Sequence, residues 1–171
     1  MTRCPWQTKA PYQAVPKVAT APGQCVSVDQ LDATLPGLIA QIKGIPTTKR
    51  YNYTTVFTDH YSKLGYVHLQ QALTSEETVQ AKHAFENYAA THNIKIIHYH
   101  ADNGRFADKA FHQDLENNNQ TITFSGVNAH WQNGVAENRI GDLTENAWAM
   151  LLFAQRRWPD AITANLWPYA L

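Results

Sequence analysis

Short runs in which apolar and polar residues alternate, separated by turn residues, fill the first part of the chain; longer stretches with apolar residues three and four apart follow. Residues 24–31 (QCVSVDQL) put Cys25, Ser27, Asp29 and Leu31 on one face and Val26, Val28 and Gln30 on the other. This predicts a first strand with Asp29 near its end. Residues 51–60 and 64–70 are aromatic and β-branched runs around Tyr61-Ser62-Lys63, the pattern of an antiparallel hairpin. Thr74-Ser75-Glu76-Glu77 opens a helix, with a hydroxyl cap and acidic residues in the first turn. Val79, His83, Phe85, Tyr88 and Ala89 are expected on its apolar side, and it should end near Asn93. Residues 94–101 predict a fourth strand, 107–117 a helix with Phe111 and Leu115 facing inward, and 121–124 a fifth strand. A long helical pattern runs from Val135 to about Arg157, where Trp158-Pro159 breaks it, and Asp160 is placed to cap a further helix. The order predicts an α/β fold: a five-stranded mixed sheet flanked by helices.

Between these elements, residues 1–23 carry Pro5, Pro11, Pro16 and Pro22 without apolar periodicity and read as an arm or linker. Residues 32–50, with Pro36, Gly37, Gly44 and Pro46, are expected to form a long loop bearing Lys43, Lys49 and Arg50. A polar, glycine-containing loop is expected at 125–134. The folded core is thus assigned to 24–157, and 158–171 to the start of a truncated C-terminal helical extension. A chain of 171 residues suits one domain. The longest apolar run, 147–154, is too short for a bilayer, and the start lacks the apolar centre of a signal peptide, so no membrane association is expected. Cys4 and Cys25 form neither a zinc pair nor a disulfide framework, consistent with a reducing, intracellular setting. Net charge is zero, but residues 1–50 hold six basic against two acidic residues and the remainder holds the opposite excess. A solvated basic arm and a nucleic-acid contact both fit that distribution.

The candidate chemistry lies in three acids. Asp102 closes the run His98-Tyr99-His100-Ala101-Asp102-Asn103-Gly104, at the carboxyl end of the fourth strand, where α/β sheets place their sites. Asp29 is on the first strand, and Glu137 in the first turn of the long helix. If the first and fourth strands are neighbours, the two aspartates emerge side by side, and a helix across that edge can add Glu137. Carboxylate oxygens are the ligands Mg2+ or Mn2+ prefers, and a pair of such ions about 3.5–4 Å apart supports phosphoryl transfer. Converging acids also repel one another in the absence of a cation. Asp59, at another strand end, and Asp32, on the opposite face from Asp29 if the strand continues, are the rival first ligands. His100 shares a face with Asp102 and is expected to be a satisfied structural histidine. Arg139, Arg156 and Arg157 on the long helix are expected to be mostly solvated.

The segments Ser27-Val28-Asp29-Gln30-Leu31, His100-Ala101-Asp102-Asn103-Gly104 and Gln132-Asn133-Gly134-Val135-Ala136-Glu137-Asn138 together resemble the catalytic core of a retroelement integrase. With Leu166-Trp167-Pro168-Tyr169-Ala170 downstream, the sequence is most similar to integrases of copia-type LTR retrotransposons. The resemblance covers about residues 24–171. It implies an RNase H-like fold and Asp29, Asp102 and Glu137 as catalytic metal ligands for Mg2+ or Mn2+. It implies trimming of element DNA ends and joining of the 3′-hydroxyl to target DNA, a homo-oligomeric protein, and action in the nucleus. Gln132, Asn133 and Asn138, with Lys43, Lys49 and Arg50, are the candidate DNA contacts; His100, Asn103, Gly104 and Gly134 are supporting residues. Two features depart from the pattern. Thirty-four residues separate Asp102 from Glu137, one fewer than is usual in the family, and Arg105 stands where many relatives carry a second glycine. The family's zinc-binding module and C-terminal DNA-binding region are not among these residues. The alternatives are an inactive nucleic-acid-binding or oligomerisation remnant, and a simple RNase H-like nuclease.

Overall fold

The computed structural model describes residues 19–39, 48–102, 104–126 and 133–171. Five strands, β1 (Val26–Gly37), β2 (Tyr51–Asp59), β3 (Gly65–Gln70), β4 (His98–Ala101) and β5 (Thr121–Phe124), form one sheet in the order β3-β2-β1-β4-β5. The first three make an antiparallel meander, while β4 pairs parallel to β1 and β5 parallel to β4. Three α-helices, α1 (Ser75–Thr91), α2 (Lys109–Asn117) and α3 (Gly134–Arg157), complete the architecture expected from the sequence. Among the described residues, no helix is long and apolar enough to cross a membrane.

The alternation along the strands divides the sheet into two faces. Val26 and Val28 of β1, Phe57 of β2, and Tyr99 and Ala101 of β4 face the main core, where Ala81, Phe85 and Ala89 of α1 and Phe111 and Leu115 of α2 close over them. Phe57 and Phe85 stack at 4.7 Å between ring centroids, and Tyr99 meets Phe111 edge-on at 6.3 Å. The intervening residues, including Ser27, Asp29, His98 and His100, belong to the second face, over which α3 packs against β1 and β2.

Several boundaries differ from the expectation. β1 continues to Gly37, so part of the segment expected to be a loop is strand; Leu31 and Asp32 pair with Thr54 and Tyr53, and an irregularity follows before Gly37 meets Tyr51. β4 has four residues rather than eight. Ahead of it the chain is held by single bonds, Ile97 N to Gly23 O at 2.8 Å and Thr121 N to Ile97 O at 3.1 Å. α1 opens with a hydroxyl cap as expected, Thr74 rather than Ser75, but its buried stripe is Thr78, Ala81, Lys82, Phe85 and Ala89. His83 and Tyr88 are exposed, because the helix turns a lysine inward and gives it two carboxylate partners. Asp160 lies in a turn instead of capping a helix. Thr163 occupies the N-cap position of a 3₁₀ segment, Ala164–Tyr169. That segment docks on the β1 extension: Leu38 N donates to Asn165 O at 2.7 Å and Trp167 Nε1 to Leu35 O at 2.8 Å.

Candidate active site

The ladder between β1 and β4 fixes the position of the two aspartates. Ser27 is opposite His100 and Val28 opposite Ala101. Asp29 and Asp102 are each the next residue along parallel neighbouring strands, on the second face of the sheet. Both are half-buried, and the Asp29 carboxylate accepts a hydrogen bond from Gln30 N at 2.8 Å. β4 stops at Ala101, so Asp102 stands where the backbone leaves the sheet and its side chain reaches solvent.

Glu137 arrives from α3, one turn into the helix. The start of that helix is tied to the site through Asn133, its N-cap residue, whose Nδ2 donates to Val28 O at 3.2 Å. The bond holds the helix N-terminus against the residue that precedes Asp29. Glu137 lies one helical turn from Asn133 and is exposed. The first turn of a helix favours an acid through the unpaired backbone N–H groups there.

The rival aspartates stand elsewhere in the sheet. β1 does continue past Asp29, so Asp32 falls on the opposite face. Asp59 pairs with Val26 at the far end of β1, roughly 10 Å along the strand from Asp29 at ~3.3 Å per residue. It is fully buried, and its carboxylate accepts from Gly23 N at 2.8 Å, Ser62 N at 2.6 Å and Ser62 Oγ at 2.7 Å. It caps the hairpin turn and anchors the entry to β1.

Oxygen donors of this kind suit a hard divalent cation. The aspartate pair fits such an ion. Glu137 is not gathered in with it: among the described residues, no three His, Cys, Asp or Glu side chains stand close enough to hold a metal.

The other candidates fall in different places. Lys43, Asn103 and Gln132 lie outside the described residues. Lys49 and Arg50 are exposed just before β2, beside the Gly37 end of β1 and several residues along the strand from Asp29. Asn138 is exposed next to Glu137. Asn133, expected to offer its amide to DNA, is only 1% exposed, and that amide serves the scaffold instead. Gly104 and Gly134 have open space where a Cβ would stand, so packing does not require glycine at either position.

His100 is buried, and its Nδ1 pairs with Thr123 Oγ1 at 3.0 Å. It belongs to a cluster beneath the site that sequence reasoning missed, since its members are scattered over three strands and a turn. His98 pairs through its two ring nitrogens with Thr121 at 2.7 Å and Thr123 at 2.9 Å, and His60 with Ser27 Oγ at 2.8 Å. Burial lowers the pKa of His98 and of His60; the proximity of the imidazoles to one another lowers both further, and for His60 Lys63 adds to this while Asp59 opposes it. Cys25, at the edge of the same region, is buried, and burial followed by the Asp59 charge pushes its thiol up to about 11. Arg139, expected in solvent, is half-buried: its guanidinium lies 3.0–3.4 Å from where a Cβ on Gly65 would be.

No family model matches the sequence, and no curated protein is detectably similar to it. Solved structures do match. The HTLV-2 integrase catalytic core in complex with magnesium aligns in its trimeric form at a TM-score of 0.59 and 18% identity, covering 89% of this chain and 84% of that one. Its dimeric form gives 0.58 and 17%, covering 88% and 85%. A simian T-cell lymphotropic virus intasome, in complex with the PP2A regulatory subunit B56 gamma, gives 0.63 and 16%, covering 90% of this chain and 49% of that one. With the sheet order and helix placement described above, these alignments establish that the chain has the RNase H-like fold of retroviral integrase catalytic cores.

Proposed function

We propose that the protein is the catalytic core of an integrase of the copia-type retrotransposon class, a divalent-metal-dependent polynucleotidyl transferase acting on DNA. The observation that carries the reading is the parallel β1–β4 register, which sets Asp29 beside Asp102 at a strand end in a fold shared with integrase cores. Asp29, Asp102 and Glu137 are the residues that hold Mg2+ or Mn2+. A divalent cation bound there supplies Lewis acidity for in-line displacement at phosphorus. The chain's own part is positioning. The sheet fixes the two aspartates, and Asn133 ties to β1 the start of α3, the helix from which Glu137 would join them. Such chemistry needs no protein nucleophile; water serves in trimming of DNA ends and a DNA 3′-hydroxyl in joining. DNA is the substrate, Gln132, Asn138, Lys43, Lys49 and Arg50 are its candidate contacts, and the nucleus is the place of action. The HTLV-2 core occurs in dimeric and trimeric forms, which supports self-association here as well.

One observation favours a second reading. Asp29, Asp102 and Glu137 do not form a group of three that could hold a metal among the described residues, which agrees with an inactive DNA-binding or oligomerisation remnant. A disintegration assay separates the two. The protein is mixed with a branched DNA that mimics the joined product, with Mg2+ or Mn2+, beside an Asp102→Asn variant. Metal-dependent resolution lost in the variant is expected. Absence of resolution in folded protein would favour the remnant, and cleavage by water alone a simple nuclease.

A further inference from the structure

Two polar columns run side by side along β4 and β5 toward the aspartates. The ladder sets His98 opposite Thr121 and His100 opposite Thr123, on the second face of the sheet. Both threonine hydroxyls are used: Thr121 Oγ1 pairs with His98 Nδ1 at 2.7 Å, and Thr123 Oγ1 with His98 Nε2 at 2.9 Å and His100 Nδ1 at 3.0 Å. One step further along, the columns end in Asp102 and Ser125. Ser125 N donates to Ala101 O at 2.9 Å, so the parallel pairing reaches that far. The side chains of Asp102 and Ser125 therefore leave neighbouring strands on one face, as those of His100 and Thr123 do before them.

Ser125 differs from the two threonines. It is only 3% exposed, and its Oγ is buried without a hydrogen-bond partner among the described residues. A buried hydroxyl left unpaired costs about 1–3 kcal/mol, so its presence calls for an acceptor. The acceptor its position offers is the carboxylate of Asp102, on a strand about 4.8 Å away. Asp102 is half-buried. A carboxylate has lone pairs enough for one oxygen to ligate a cation while the other accepts a hydrogen bond from the scaffold. Such a bond fixes the orientation of a metal ligand.

We infer that Ser125 is a positioning residue for Asp102: with a divalent cation bound, its hydroxyl donates to the carboxylate oxygen turned away from the ion. The inference rests on the reading of Asp29 and Asp102 as metal ligands, and it adds a residue outside the three segments that carry the family resemblance. The cost of an unpaired hydroxyl in the metal-free fold is then offset when the ion orients Asp102.

Mn2+ titration followed by electron paramagnetic resonance, with urea unfolding of the metal-free protein, tests it on the full chain. Ser125→Ala should bind Mn2+ about tenfold more weakly, the lower end of the usual range for a partner of a metal ligand. Its metal-free stability should hold or rise, because an unpaired buried hydroxyl has been removed. The loss of affinity should vanish in an Asp102→Ala background, since the hydroxyl acts through that carboxylate. Unchanged Mn2+ affinity in Ser125→Ala, a loss accompanied by lower metal-free stability, or a loss that persists without Asp102 overturns the inference. A wild type that binds no Mn2+ refutes the metal-dependent reading and the inference with it. A wild type that binds Mn2+ beside an indifferent Ser125→Ala refutes the inference alone.

Discussion

Asn133 donates its side-chain amide to the carbonyl oxygen of Val28 at 3.2 Å, joining positions 105 residues apart in the chain. This bond couples the helix that bears Glu137 to the strand that bears Asp29. The amide is buried, and its Oδ1 has no hydrogen-bond partner among the described residues, so the interaction with Val28 is the main polar return on burying it. Asn133→Ala should lower stability by about 1 kcal/mol, the usual scale of one such bond. If Glu137 acts as proposed, the effect on DNA resolution should be larger, about tenfold, because misplacing a catalytic group costs more than the bond that holds it. Thermal melts and disintegration rates measured on the same preparation check the contrast. A variant unchanged in both would show that the start of α3 is held by other contacts.

Asp29 and Asp59 are separated by three positions of β1 register and by role. Asp59→Asn removes one acceptor oxygen from a carboxylate that takes three hydrogen bonds around the hairpin. It should destabilise the fold by about 1–3 kcal/mol while leaving Mn2+ affinity unchanged. Asp29→Asn should do the reverse. Stability in the absence of metal should hold or rise as repulsion with Asp102 is relieved, and Mn2+ affinity should fall. Urea unfolding and Mn2+ titration by electron paramagnetic resonance distinguish the two. Retained Mn2+ binding in Asp29→Asn would remove Asp29 from the ligand set.

The fold was legible because its signals are local. Alternation in β1, the Tyr61-Ser62-Lys63 turn, the Thr74 cap and the helical run after Gly134 each specify their element without help from distant residues. Of the candidate site, only the neighbourhood of Asp29 and Asp102 was legible, as far as strand order could be inferred, since it is a property of the β1–β4 ladder. What escaped notice depended on tertiary partners. A lysine at 82 reads as a solvated helix residue until Asp114 and Glu86 are placed beside it. Asn133 reads as a loop amide until Val28 O lies beneath it. The 3₁₀ segment Ala164–Tyr169 reads as the start of a helix, whereas its docking depends on Gly37, where a Cβ would lie 2.5 Å from Pro168 and 2.6 Å from Trp167.

The imidazole cluster beneath the aspartates sets a lower pH limit for the fold. His60 and His98 have pKa values below the ordinary histidine value, chiefly through burial, so they are neutral in the folded protein where the unfolded chain would bind a proton. At pH above about 6.5 both states are neutral and the cluster imposes no pH dependence. As pH falls below that value the unfolded chain takes up protons the folded one resists, and stability declines. Urea midpoints measured between pH 7.5 and 5 should therefore fall, and His98→Gln should flatten the slope. A flat profile in the wild type would contradict buried, neutral imidazoles.

Lys82 provides the sharpest stability test, because its side chain is 0% exposed and its charge is balanced from two directions. Its Nζ lies 2.6 Å from Asp114 Oδ2 and 3.0 Å from Glu86 Oε1. Burial alone would raise the pKa of Asp114, yet hydrogen bonds from Lys82 and His83 outweigh it and hold the carboxyl below the usual range. Asp114 thus stabilises the fold above the ordinary aspartate pKa, and the contribution is lost as pH falls through its lowered folded value. Removing both acids together, as Glu86→Gln with Asp114→Asn, leaves a buried ammonium unpaired and should cost about 3–5 kcal/mol. Lys82→Met removes the charge instead. Its two former partners keep some access to water, and Glu86 retains the hydroxyl of Tyr99 as a donor at 2.8 Å, so this variant should cost markedly less. Urea unfolding at pH 7 orders the two. If Lys82→Met proved the more damaging, the lysine would act mainly through its packed methylene chain, and its paired charge would be incidental to the core formed by α1 and α2.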